Sequence, residues 1–405
     1  RHLFGLSIVI ALLGFVFFLN FQTQGIYGGD SGDLVTAAVT FGVPHPPGYP
    51  LYTFMGFLAS KIPLFTPAWR VGLISSIPHA ITLALVFIIV ATVTGHIIPA
   101  LLSVFMLAGN YLFFLYSITP EVFALLNMFV SLLLLLGIRL YLTKNIRYLY
   151  IVGFILGLSL SHHHVIIFLL PCLIYLLLHT LNDKQPGLRK KMKLLGVFSV
   201  LVLLGLLPYV YIPVAAGKTS MINWDRAVDL GGFMKLITRA DYGTFVSGGY
   251  FGSQVTERLL ALKAYAQFVY LDYSWQGILL SFLGFIFLLK SRRILFSGLG
   301  LAFLFLGPIF FFYASFPLMN RFTLGTYERF LLPSYVILTV AAGIGLSGIL
   351  RWFENKFKTK KYHSSFILVI LVTLFFLYPA GRLYSTVWRF WGFATDKTGD
   401  RLGID

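Results

Sequence analysis

The sequence predicts an all-α, polytopic membrane protein that crosses the bilayer about eleven times. Three observations predict it. Hydrophobic residues make up 58% of the chain and charged residues 11%, with a mean hydropathy of +0.86, which leaves too little polar surface for a dissolved globule. Apolar runs recur at the length of roughly 20 residues that a bilayer core demands. Lys and Arg collect in alternate connections between those runs, as they do in cytoplasmic loops.

In chain order, spans are expected near 3–21, 71–93, 97–115, 121–142, 149–161, 165–181, 194–215, 275–289, 294–316, 332–350 and 364–380. The first is too long for a signal peptide and lacks a small-residue cleavage site. The fifth is short. With Arg1 in the cytoplasm, alternation places Lys144 and Arg147, the run Arg189 to Lys193, Lys290 to Arg293, and Arg351 to Lys361 on the same side. Of the fourteen acids only Asp183 and Glu354 fall there. The net charge of +17 is therefore a cytoplasmic excess that reports orientation and gives no support to nucleic-acid binding. The single cysteine, Cys172, lies in a span, so no intramolecular disulfide forms. No Asn-x-Ser/Thr sequon is present. Both absences point to a prokaryotic plasma membrane with the site facing outward, or to a luminal site in the ER if the source is eukaryotic.

Two outer loops are long, about 22–70 and 216–273, and loops beyond about 15 residues are usually functional or disordered. In the second, Ala227, Leu230, Phe233, Met234 and Ile237 recur at helical spacing, which predicts a surface helix over 226–240. The first opens with Gly28-Gly29-Asp30-Ser31-Gly32-Asp33. Carboxylates three residues apart share a helix face, and an acid at the membrane boundary is costly unless it is paired or functional. A helix N-cap by Asp30 or Ser31 explains the same residues without chemistry. Next comes Pro44-His45-Pro46-Pro47-Gly48-Tyr49-Pro50, whose prolines fix an extended loop around His45. Such a rigid loop suits a binding site, or merely clamps the chain. Glu121 follows Thr119-Pro120 and either caps the next helix or belongs to the site. His162, His163 and His164 end the fifth span; consecutive residues on a helix point apart, which disfavours a metal site. Arg329 precedes the tenth span, beside Glu328 and apolar residues. It is placed to pair with Glu328 or to grip a lipid phosphate through its planar fork.

No Walker A sequence, dinucleotide fingerprint or nucleophile elbow occurs, so a nucleotide-dependent reaction is disfavoured. A lipid-borne substrate is the natural alternative. The runs Gly28 to Asp33 and His45 to Leu51 resemble the signature of the transmembrane protein 260-like family, protein O-mannosyltransferases of the GT-C glycosyltransferase superfamily. Further matching segments are Thr119-Pro120-Glu121, Ser161 to His164, Asn223-Trp224, Thr238 to Gly243 and Glu328-Arg329-Phe330.

The resemblance implies a GT-C-like fold in one transmembrane domain over 1–405, without the C-terminal soluble domain that some relatives carry. It implies transfer of a sugar, mannose foremost, from a polyprenyl-phosphate donor to a protein Ser/Thr hydroxyl on the non-cytoplasmic side, with inversion. Asp30 would be the catalytic base with Asp33 beside it. Arg329, His163 and His164 would hold the donor phosphate. His45, Tyr49, Glu121, Asn223, Trp224, Arg239, Asp241 and Glu328 would line the substrate site. No cofactor is required, although the acids and histidines leave room for a divalent metal. Two rival classes carry the same helices. One is a transporter or flippase, which would place polar groups at the midplane of broken helices, often in repeated halves. The other is a GT-C enzyme that glycosylates a lipid or polysaccharide.

Overall fold

The computed structural model describes residues 2–184, 187–243, 255–316, 318, 321–357, 381 and 384–385. The expected span 364–380 lies outside them. Among the described residues there are helices and no strands, with one isolated bridge between Val43 and Asn223. Among the described residues eight helices are long and apolar enough to cross a membrane. Helices α5 (Ile97–Ala108) and α6 (Tyr111–Ile118) together are apolar enough as well, but are bent by 69°. The break falls at Gly109-Asn110, where the Asn110 side chain caps α6 by accepting from the Phe113 N–H. The short fifth span is α8 (Arg147–Leu160).

Burial sorts these helices. α4 (Pro67–Thr94), α7 (Phe123–Thr143) and α17 (Leu332–Phe357) carry most of the core. α1 (His2–Phe21) buries only one stripe, Ser7, Ile10, Gly14, Phe18 and Phe21, while Phe4, Leu12, Leu13 and Val16 stay exposed. An apolar face left open beside an apolar core fits contact with lipid, where every backbone group is satisfied within the helix.

Two expectations change. The second long loop is shorter than its hydropathy suggests, because α13 (Val255–Ser291) already begins at residue 255. Glu257, Arg258 and Lys263 depress the hydropathy there, yet Ala261, Tyr265, Val269 and Tyr273 recur every four residues and are buried. The helix breaks at Ser274 (φ 53°), one residue before the expected span. The surface helix is also shorter. α12 covers Leu230–Ile237, and Asp229 caps it through the Gly232 N–H at 2.8 Å. Of the expected residues, Ala227, Phe233 and Ile237 pack with the fully buried Leu236, whereas Leu230 and Met234 are exposed. Leu236 packs with Val43, Tyr211, Ile212 and Ala227 in a small apolar layer. The two long loops thus share one core at one end of the bundle. Gly42 lets them meet, since a Cβ there would lie 2.3 Å from the Ile222 carbonyl oxygen.

Candidate active site

After α1 the chain is tied back to the bundle, where the Thr23 N–H donates to the Ile118 carbonyl at 2.9 Å. It then turns through Gly29, whose φ of +81° lies in the region open to glycine. The turn delivers Asp30 to the start of α2 (Ser31–Thr40). Asp30 occupies the capping position, but its side chain makes no capping bond. Instead, Arg329 Nη2 lies 2.8 Å from Asp30 Oδ2. The other arm of the same guanidinium, Nη1, donates to Glu121 Oε1 at 2.6 Å. Arg329 ends α16 (Arg321–Arg329) and is 5% exposed, Glu121 1%, so the Arg329–Glu121 pair is buried while Asp30 stays partly open. Glu121 Oε2 also accepts from the adjacent Val122 N–H at 3.2 Å, but no side chain caps α7, which starts at Phe123. Burial pushes the Glu121 carboxyl up from its ordinary value and the Arg329 charge pulls it back.

The proline loop brings His45 against both acids. Asp33 Oδ2 accepts from the His45 backbone N–H at 2.9 Å and from ring Nδ1 at 2.6 Å. His45 Nε2 lies 3.4 Å from Asp30 Oδ2. Trp224 Nε1 donates to Asp33 Oδ1 at 3.1 Å. Burial disfavours the charge on Asp33, but the hydrogen bonds that His45 and Trp224 donate outweigh it and hold the carboxyl below its ordinary value. Trp224, Asp33, His45, Asp30, Arg329 and Glu121 thus form one continuous polar chain.

The chain borders a cavity of about 430 Å³. Of the residues expected at the site, Asp30, Asp33, His45, Tyr49, Trp224, Arg239 and Arg329 line it. The others do not. His163 is buried behind it, its ring 5.6 Å from that of Tyr49 and 5.9 Å from that of Phe330. Its Nδ1 accepts from the Val165 N–H, and burial first, then neighbouring charges, hold it well below the ordinary histidine value. A neutral imidazole there brings no positive charge to a phosphate. His164 turns away and bonds to the Tyr209 hydroxyl at 2.9 Å. Asn223 donates to the Ala216 carbonyl at 2.8 Å within the second loop. Asp241 pairs with Lys235 at 2.8 Å on the surface. Glu328 is bonded by Tyr116, not by Arg329; neighbours on one helix point about 100° apart, so the expected Glu328–Arg329 pair does not form. Wall residues not singled out from the sequence include Phe123, Phe316, Thr323 and Thr326. They come from three separate segments and carry no local pattern. Among the described residues, no group of three His, Cys, Asp or Glu side chains is arranged to hold a metal ion.

The family profile described as "Protein O-mannosyl-transferase TMEM260 N-terminal domain" matches residues 30–186, a stretch that opens on Asp30 and includes His45 and Glu121. Over that stretch the chain is similar to the TMEM260 N-terminal domain. The mouse protein named Protein O-mannosyl-transferase TMEM260 is 33% identical over 358 residues, 84% of this chain and 49% of that protein. The Dictyostelium discoideum protein of the same name is 28% identical over 353 residues, 81% of this chain and 42% of that protein. The chain thus spans about half the length of the curated TMEM260 relatives it matches. Among solved structures, ArnT from Cupriavidus metallidurans bound to undecaprenyl phosphate superposes with a TM-score of 0.60 at 13% identity, covering 96% of this chain and 70% of that one. Its apo state gives 0.59. At that identity the likeness concerns the fold alone, a multi-pass helical architecture like that of ArnT.

Proposed function

We propose that this chain is a membrane glycosyltransferase that moves mannose from a polyprenyl-phosphate donor to a protein Ser/Thr hydroxyl, on the non-cytoplasmic side. The observation that carries the reading is the meeting of Asp30 and Arg329 at 2.8 Å on the wall of the 430 Å³ cavity, at the end of the bundle where the long loops fold. The names of the TMEM260 relatives support the sugar and the acceptor. The undecaprenyl phosphate bound by the ArnT structure supports the donor class. Orientation rests on the Lys and Arg bias between loops.

The chemistry follows from the groups present. A phosphate leaves readily, so the acceptor hydroxyl is the reactant that needs help, and a positioned carboxylate supplies it as general base. Asp30 has that role. Direct displacement inverts the anomeric centre. Both arms of Arg329 are held by carboxylates, so its task is to fix Asp30. The donor phosphate falls to Arg239, which lines the cavity and makes no ion pair among the described residues. Phe123, Phe316 and Phe330 offer an apolar wall to the first isoprene units.

The test is transfer from labelled polyprenyl-phosphate mannose to a Ser/Thr peptide by the purified chain in detergent. Asp30→Asn keeps shape but loses the proton acceptor, so turnover is expected to fall about 10²- to 10⁴-fold with donor binding retained. Label that never reaches the peptide with the unaltered chain, or full turnover by Asp30→Asn, overturns the assignment.

A further inference from the structure

We propose that His45, oriented by Asp33, is the positioning residue that receives the reaction's proton from Asp30. The proposal rests on the glycosyl-transfer reading and deepens it at the same site.

The geometry fixes the tautomer. Asp33 Oδ2 takes the ring Nδ1 at 2.6 Å as well as the His45 backbone N–H at 2.9 Å. An ionised carboxylate only accepts, so Nδ1 carries a hydrogen. In the neutral ring Nε2 is then an acceptor, and it faces a second acceptor, Asp30 Oδ2, at 3.4 Å. Two acceptors at that separation attract one another only through a shared proton. The Asp33–His45–Asp30 row therefore offers a place for one further proton, on Nε2 between His45 and Asp30.

The surroundings supply a reason for the proton to move on. A protonated Asp30 would lose its attraction to the Arg329 guanidinium 2.8 Å away, leaving Arg329 with Glu121 alone. Moved to His45, the same positive charge sits between two carboxylates, Asp30 and Asp33. The remaining neighbour on the proline loop is Tyr49, whose ring lies 5.2 Å from that of His45 and carries no charge. Trp224 Nε1 occupies the second oxygen of Asp33 and so keeps that carboxylate turned toward His45.

The step balances without a co-reactant. The acceptor oxygen bonds to the sugar's anomeric carbon as the bond from that carbon to the phosphate oxygen breaks, and the electron pair leaves with the polyprenyl phosphate. The hydroxyl proton passes to Asp30 and then to Nε2 of His45. The imidazolium releases it to the water of the open cavity.

The experiment uses the transfer assay with the full chain. His45→Ala keeps the backbone N–H that donates to Asp33 and leaves a space the size of the ring. Turnover is expected to fall about 100-fold with the donor KM little changed, and added imidazole is expected to restore it at least about tenfold. Asp30→Asn should gain nothing from imidazole. His45→Asn supplies an amide N–H in place of Nδ1–H but has no Nε2, so it should remain as slow as His45→Ala and recover no activity by itself. Near-normal turnover by His45→Asn would make His45 a structural tie, as would a His45→Ala enzyme that imidazole leaves unchanged. Absence of transfer by the unaltered chain instead overturns the glycosyl-transfer reading beneath it.

Discussion

At the scale of single residues, the site depends on an ion pair that hydrogen-bonding arithmetic makes sensitive. Glu121 and Arg329 are both buried and 2.6 Å apart. Removing one partner of such a pair strands the other charge and typically costs about 3–5 kcal/mol, whereas removing both can be nearly neutral. Arg329→Met is therefore expected to lower stability by that amount, and the double variant with Glu121→Gln to regain more than half of it. Chemical denaturation in detergent, followed by tryptophan fluorescence, measures the cycle. Strictly additive losses would mean that the two groups are not coupled. This pair also marks where reading the chain alone stops. The acids of the Gly-Gly-Asp run and the His of the proline loop were legible, because an unusual local pattern surrounds them. The partner of Arg329 was not, since it lies 208 residues away and nothing in a single sequence links the two positions. Adjacency suggested Glu328, and helix geometry forbids it.

At the scale of elements, helices of the bundle are set by close crossings. α13 meets α17 where a Cβ on Gly284 would lie 1.9 Å from the Ala341 carbonyl oxygen, and one on Gly345 would lie 2.0 Å from that of Leu280. Small residues let membrane helices approach in this way, and the contact offers backbone rather than a flexible side chain to yield. Gly284→Ala is expected to push the helices apart at a cost of about 1–3 kcal/mol, read as a lower thermal midpoint in detergent. Gly300→Ala is the control, because a Cβ there meets nothing within 4 Å. Equal midpoints for the two variants would remove the close crossing as a constraint. Apolar length made these helices legible, but not their ends outside the bilayer. The first half of α13 buries Ala261, Tyr265 and Val269 on one face while carrying Glu257, Arg258 and Lys263, so an averaged hydropathy misses it. In α12 Leu230, Phe233, Met234 and Ile237 recur at helical spacing, but Leu236, outside that set, makes the tie to Val43 and Ile212. That contact is made across loops, beyond any local period.

At the scale of the whole molecule, the expected spans have counterparts among the described helices up to residue 357, and the charge pattern assigns their direction. The site end gathers residues 22–66, 119–122, 161–163 and 217–243. The opposite end gathers Lys144, Arg189, Lys190, Lys191, Arg292, Arg293 and Arg351. Within it, Arg351 donates to the Thr94 carbonyl between α4 and α5, so that end too is tied across the bundle. Basic connections are retained in the cytoplasm, so the proposed orientation has the cavity outside. Single cysteines test this directly on a Cys172→Ala background, since Cys172 is the chain's one cysteine and is buried. Lys61, Ala240 and Lys190 are exposed, so a thiol at each is open to reagent from its own side. An impermeant maleimide applied to intact cells is expected to label positions 61 and 240 and to spare 190 until the membrane is opened. Labelling of 190 but not of 61 in intact cells would reverse the orientation, and with it the compartment in which the acceptor hydroxyl must be sought.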